Sequence, residues 1–172
     1  MDAVSLKHAF TKAHTTHSDA IFRFCLWKTS DRDTAIDITQ DTFMRFWDEI
    51  SKGNTIDNER ALLYTIARRL VIDHYRKKKT ESLDATSGSD DPFDIPDEGA
   101  FGSIEIGTEA RIIVDKMHEL DPVYRQPVYL RFVEGLTPKD IAEILSITPN
   151  LASVRIDRGL KELRKLIDPQ NV

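Results

Sequence analysis

Apolar residues recur along most of this chain at the three- and four-residue spacing of helices, and no useful length of strand-like alternation appears. Leu6, Phe10, Ala13, His17, Ile21 and Phe24 form one stripe and predict a first helix from about Val4 to Lys28. A capping-box pattern, Ser30-Asp31-Arg32-Asp33, predicts the start of a second, which runs to about Ile50 and stops at Ser51-Lys52-Gly53-Asn54. Its apolar stripe is expected to be Ile36, Phe43, Trp47 and Ile50. A third helix begins near Asn58, carries Leu63, Ile66, Ala67, Leu70 and His74 on one side, and ends in the basic run from Arg76 to Lys79. From Thr80 to about Thr108 the composition turns to Ser, Gly, Pro and acid, and Pro92 and Pro96 break any helix, so this stretch reads as a linker.

Beyond it, Glu109 to Leu120 predicts a helix, and Asp121-Pro122 starts another that Gly135 can end. Pro127 falls inside that second helix and is expected to kink it or delay its start. Two helix-start signatures then stand eleven residues apart, Leu136-Thr137-Pro138-Lys139-Asp140 and Ile147-Thr148-Pro149-Asn150. In each, Thr can cap free backbone N–H groups and Pro suits the first helical position, while the preceding Leu or Ile can staple onto Ile141 or Ala152. They predict helices Pro138 to Leu145 and Pro149 to about Ile167, joined by the turn Ser146-Ile147-Thr148, which is the grammar of a helix-turn-helix. Ala152, Ile156, Leu160, Leu163 and Ile167 repeat at helical spacing and leave Asn150, Ser153, Arg155, Arg158, Lys161 and Lys165 for other faces. That is the layout of a recognition helix, in which early residues read base edges and basic groups hold phosphates.

The expected fold is therefore all-α: an N-terminal bundle (1–80), a flexible acidic linker (81–108) and a C-terminal helix-turn-helix domain (109–172). Charge sharpens this division. The 172-residue chain has a net charge of −5, which does not suit a nucleic-acid binder until it is divided along the sequence. Residues 81–109 contain nine acidic residues and no Lys or Arg, so the rest carries 24 basic residues against 20 acidic ones. Arg60 to Lys79 alone holds seven basic residues and one acid, Asp73. Such segregation suggests a basic contact surface joined to an acidic segment that mimics nucleic acid or simply stays solvated. The single cysteine, Cys25, lies on the apolar side of the first helix and is expected to pack in the core. With no signal peptide and no apolar span of membrane length, a cytoplasmic location is expected.

Two further surfaces stand out. On the second helix Asp37, Gln40, Asp41, Met44 and Asp48 fall three or four apart, a largely acidic stripe with one soft apolar residue. It is either a solvated face or a docking surface for a basic partner helix, with Met44 buried at its centre. The third helix combines Tyr64, Arg68, Arg69, Asp73, Tyr75, Arg76 and the lysines from Lys77 on. Cations that track phosphates beside rings that stack suit single-stranded nucleic acid, whereas the alternative makes both tyrosines bundle packing. His8, His14 and His17 lack the thiol or carboxylate that completes a metal site, and no phosphate-binding Gly loop, zinc-protease His pair or nucleophile elbow appears. Neither metal, cofactor nor enzymatic activity is expected.

The residues resemble the extracytoplasmic-function group of bacterial sigma factors, which keep only the second and fourth conserved regions of the sigma-70 family. Region 2 resembles Asp37-Ile38-Thr39-Gln40-Asp41-Thr42-Phe43-Met44-Arg45-Phe46-Trp47 and Leu63-Tyr64-Thr65-Ile66-Ala67-Arg68-Arg69-Leu70-Val71-Ile72-Asp73-His74-Tyr75-Arg76. Region 4 resembles Leu120-Asp121-Pro122-Val123-Tyr124-Arg125, Gly135-Leu136-Thr137 to Leu145, and Val154-Arg155-Ile156-Asp157-Arg158. The resemblance implies a promoter-specificity subunit with core RNA polymerase and promoter DNA as partners. Asp37, Gln40, Asp41, Met44 and Arg45 would bind the clamp helices of the polymerase β′ subunit, and the β flap would contact the chain as well. Tyr64, Arg68, Arg69, Asp73, Tyr75, Arg76 and Lys77, with the loop Ser51 to Arg60, would open the minus-ten element and capture non-template bases. Lys139, Pro149, Asn150, Ser153, Arg155 and Arg158 would read the minus-thirty-five element, the acidic linker would lie in the RNA path, and an anti-sigma factor would hold the protein inactive. The sequence departs from the family at Leu62, often Trp; Arg69, often Asn; Asn150-Leu151-Ala152, usually Gly-Thr-Val; Asp157, commonly His; and Gly159, commonly Ala. Asp157 would repel a phosphate it faced, and Gly159 weakens a helix by about 1 kcal/mol relative to Ala. The alternatives are a stand-alone regulator that binds duplex operator through the helix-turn-helix, and an adaptor without nucleic-acid contact.

Overall fold

The computed structural model describes residues 3–81 and 108–168, which fall into two all-helical units. Three helices make the first: α1 (Ala3–Thr29), α2 (Arg32–Ser51) and α3 (Glu59–Glu81), each packed on both others. Four make the second: α4 (Thr108–Met117), α5 (Pro122–Phe132), α6 (Pro138–Leu145) and α7 (Pro149–Ile167). The expected acidic linker lies largely outside the described residues. Among those described, no helix is long and apolar enough to cross a membrane, and no group of three His, Cys, Asp or Glu is placed to hold a metal ion.

In the first unit, α1 buries Ala13, Ile21 and Phe24 as the stripe predicts, and Trp27 beside them. Cys25 is fully buried with its thiol pushed up to about 12 by desolvation, so it packs as a small apolar group. The start of α2 differs from the expected cap. Ser30 adopts a left-handed conformation at φ 54 that ends α1, and the next residue, Asp31, is the N-cap, accepting a hydrogen bond from the Thr34 N–H at 2.8 Å. Hydrogen bonding from the Thr34 side chain, and then this backbone bond, holds the Asp31 carboxyl below the usual range. The buried face of α2 is also rotated from the expected one. Ala35, Ile38, Thr42, Phe43, Phe46 and Ile50 form it, while Ile36 is half-buried and Trp47 is 38% exposed. Four apolar residues at approximate helical spacing left the phase of the stripe open, and small Ala35 and Thr42 complete the inward side. The Asn58 side chain accepts from Ala61 N–H and starts α3 where the sequence places it.

In the second unit, α4 unwinds after Met117 rather than at Leu120. Three successive N–H groups, from His118 to Leu120, reach back only three residues, tightening the end before Asp121, which Pro122 holds extended. Asp121 caps α5 at once and the helix runs on through buried Pro127, so the proline does not delay its start. Gly135, at φ 67, turns the chain toward α6, where the expected Thr137 cap forms as half of a capping box: Thr137 and Asp140 exchange backbone and side-chain hydrogen bonds. Ser146, left-handed at φ 55, ends α6, with Ile147 N–H returning to Ala142 C=O, and Thr148 caps α7 by accepting from Leu151 N–H. On α7, Ala152, Ile156, Gly159 and Leu163 are buried, whereas Leu160 is half-buried and Ile167 exposed. Gly159 belongs to the core because α5 crosses there: a Cβ at that position would stand 2.5 Å from Val128 Cγ2 and 2.8 Å from Tyr124 Cβ.

Candidate functional site

Because α2 buries one side so completely, its other side is set by geometry. Asp37, Gln40, Asp41, Met44, Arg45 and Asp48 are all exposed, and Met44 at 66% exposure stands among acids with its thioether in water. An exposed, flexible apolar side chain ringed by charge is a contact that gains from burial only when a partner supplies the cover. Behind this face the half-exposed Trp47 ring meets Phe10 edge-on at 5.4 Å, and His14 lies 4.7 Å from Phe43, tying α2 to α1. The acidic surface thus rests on a rigid support. Sequence spacing alone does not include Trp47 in it, because an apolar aromatic reads as core.

The basic helix α3 divides its candidates between two roles. Tyr64 is wholly buried, edge-on to Phe24 at 5.4 Å with the Arg60 guanidinium 6.0 Å from its ring. This corrects the expectation that it stacks on a base, since no ring face reaches solvent. Arg68 is likewise buried, at 7% exposure, and its side chain belongs to the bundle. Tyr75 is half-buried and donates its hydroxyl proton to the Lys28 carbonyl at 2.7 Å, which locks the far end of α3 against the end of α1. What remains outward is Arg69, Asp73, Arg76 and Lys77: the first three, at intervals of four and three, make one strip, and Asp73 and Arg76 approach to 3.7 Å. Asp73 thereby holds one cation in place and leaves Arg69, Lys77 and the exposed Lys78 and Lys79 for anions.

The loop before α3 begins with a small clamp. Glu49 accepts hydrogen bonds from Lys52 Nζ at 2.8 Å and Asn54 Nδ2 at 3.0 Å, while Gly53 at φ 77 supplies the reversal. The Lys52 bond, then the Asn54 bond, hold the Glu49 carboxyl below its ordinary value, and the bond to Glu49 raises Lys52. Ser51 to Thr55 and Asp57 are exposed, while Ile56 and Asn58 turn partly inward. At the other side, His17 Nε2 lies 3.5 Å from Glu59 Oε1, joining α1 to the first turn of α3.

In the helix-turn-helix, Lys139, Pro149 and Asn150 are exposed, as is Arg158. Ser153 and Arg155 are half-buried, and the Ser153 hydroxyl donates back to Pro149 C=O at 3.0 Å, which leaves its oxygen as an acceptor only. Leu151, Asp157 and Lys161 are exposed beside them. At 100° per residue, Asn150, Asp157 and Lys161 lie opposite the buried row Ala152, Ile156, Gly159 and Leu163. Double capping and the buried row fix the angle at which this strip projects.

Comparison with known proteins agrees with this division. Residues 14–81 match the family model for sigma-70 region 2, and residues 110–163 that for sigma-70 region 4. The chain is 26% identical over 149 residues to the ECF RNA polymerase sigma factor SigL of Mycobacterium tuberculosis, covering 86% of this chain and 82% of that one. It is 29% identical over 167 residues to SigW of Bacillus subtilis, covering 91% and 88%. Its fold is similar to that of the sigma factor RpoE in its co-crystal structure with the anti-sigma factor NepR from Bartonella quintana, with a TM-score of 0.74 at 20% identity over 95% of this chain and 99% of that one. The PhyRSL–NepR complex of Sphingomonas sp. Fr1 is similar at a TM-score of 0.60 and 17% identity, covering 94% and 90%.

Proposed function

The chain belongs to the sigma-70 family of RNA polymerase sigma factors, in its two-region extracytoplasmic-function form, and we propose that it carries out promoter-directed initiation through three separate surfaces. The α2 face of Asp37, Gln40, Asp41, Met44 and Arg45 seats it on the β′ clamp helices of core polymerase. Opposite charges orient that encounter and Met44 becomes buried on docking. The outward strip of α3, Arg69, Asp73, Arg76 and Lys77, follows the backbone of the opened minus-ten strand, with the Ser51 to Arg60 loop taking the displaced bases. Flipping a base costs a few kcal/mol, which a cationic track and a pocket offset. Tyr75 serves as a brace for that strip. The exposed strip of α7 enters the major groove of the minus-thirty-five element, with Pro149, Asn150 and Ser153 toward base edges and Lys139, Arg155 and Arg158 toward phosphates.

We assign the first unit to residues 1–80, the linker to 81–108 and the second unit to 109–172. The nine acids within 81–109 suit a path otherwise taken by RNA, where negative charge stands in until transcript displaces it. The protein works in the cytoplasm as a non-enzymatic subunit. The β flap is a further polymerase contact, and an anti-sigma factor is the expected regulator, since the structurally similar RpoE is seen bound to one.

The observation that carries this reading is the pairing, in one chain, of an exposed acidic helix face in a region 2 match with a doubly capped helix-turn-helix in a region 4 match. A stand-alone operator-binding regulator leaves the first half of that pairing without a purpose. Reversing Asp37 and Asp41 to Lys together tests it. Core-polymerase affinity measured by pull-down or fluorescence is expected to fall tenfold or more with helical content unchanged, and undiminished affinity would show that the face is only solvated surface.

A further inference from the structure

We propose that Asp157 reads one base pair of the upstream promoter element by accepting a hydrogen bond from the exocyclic amino group of a cytosine, a proposal that rests on the sigma-factor reading above. Asp157 is exposed on the side of α7 opposite its buried row, two turns along from Asn150 on nearly the same azimuth. Among the described residues its carboxylate makes no hydrogen bond or ion pair, although Arg158, Lys161 and Arg164 are exposed around it. A helix face devoted to phosphates has no use for that carboxylate, because like charges repel even across water. The major groove, however, presents two hydrogen-bond donors, the amino groups of adenine and cytosine. Adenine sets its N7 acceptor beside its amino group, and a carboxylate, an acceptor only, is repelled by it. Cytosine shows its amino group without such a neighbour, so the carboxylate selects it. The surrounding cations hold the flanking phosphates and keep the acid over the groove floor.

The chemistry also specifies what substitution does. Asn in place of Asp157 has a donor and an acceptor side by side and matches adenine in the bidentate manner. Ala has neither and reads nothing polar. The test uses holoenzyme reconstituted from core polymerase and the full chain, with promoters recovered by transcription from a library randomised across the upstream element. The wild-type protein is expected to enrich C·G over other pairs at one position by on the order of tenfold. Asp157→Ala is expected to lose that preference and leave the other positions as they were, and Asp157→Asn to move it to A·T. If Asp157→Ala instead raises recovery of all sequences evenly, with every positional preference intact, the carboxylate only repels DNA and the proposal is overturned. Unchanged selection by both variants overturns it as well. A wild-type holoenzyme that selects no upstream sequence at all removes the sigma-factor reading itself, an outcome distinct from either.

Discussion

Gly159 shows how one position can contradict its own helix propensity. In a helix interior Ala is favoured over Gly by about 1 kcal/mol, yet a methyl group here would press on Val128 Cγ2 at 2.5 Å and Tyr124 Cβ at 2.8 Å. Val128 is β-branched and stiff, and the Tyr124 atom is next to the backbone, so neither neighbour yields cheaply. Overpacking of this kind costs about 1–3 kcal/mol. Gly159→Ala is therefore expected to lower the stability of the second unit by up to about 2 kcal/mol, read from chemical denaturation, and a rise in stability would show that α5 moves aside freely. Cys25 gives a second expectation at this scale. Its folded pKa is raised from 9.0 to about 12, so between those values the unfolded chain releases a proton that the fold retains. Stability tied to this thiol is fully present below pH 9 and declines as pH rises toward 12. Denaturation midpoints measured across that range are expected to fall faster than those of Cys25→Ala.

At the level of elements, the best-forecast part is the helix-turn-helix, because its signals are local. Thr137-Pro138 and Thr148-Pro149 state a cap and a first turn within adjacent residues, and both caps form as written. What the sequence leaves open depends on distant partners. The phase of the α2 stripe turns on whether Trp47 or Phe46 is buried inside the bundle, and the fate of Tyr64 and Arg68 on a bundle interior assembled from three helices. A tyrosine among arginines reads first as a stacking platform and only second as packing, and its burial edge-on to Phe24 decides for packing. The reason for Gly159 sits more than thirty residues upstream, on α5. Exposure also separates two arginines that the sequence treats alike. Arg158 is exposed and Arg155 half-buried, so Arg158→Ala is expected to reduce the salt slope of duplex binding by about one. Titrations at several salt concentrations check this, and an unchanged slope would remove Arg158 from the phosphate contacts.

For the whole molecule the decisive feature is segregation of charge. A chain of net charge −5 would be repelled by DNA if its acids were spread evenly, but nine of them fall in the stretch 81–109 and an acidic strip stands on the outer face of α2, while cations line α3 and the exposed side of α7. Under the proposed function each surface meets a different partner, basic helices in one case and phosphates in the others. That arrangement makes binding to polymerase and binding to promoter separable by mutation, which a protein with one mixed surface does not allow. Run-off transcription with core polymerase on fragments of the source genome tests this most directly. The account predicts discrete transcripts from a limited set of start sites when the chain is added, and their loss with Asp37 and Asp41 reversed to Lys. Transcripts no different from those of core polymerase alone would contradict it.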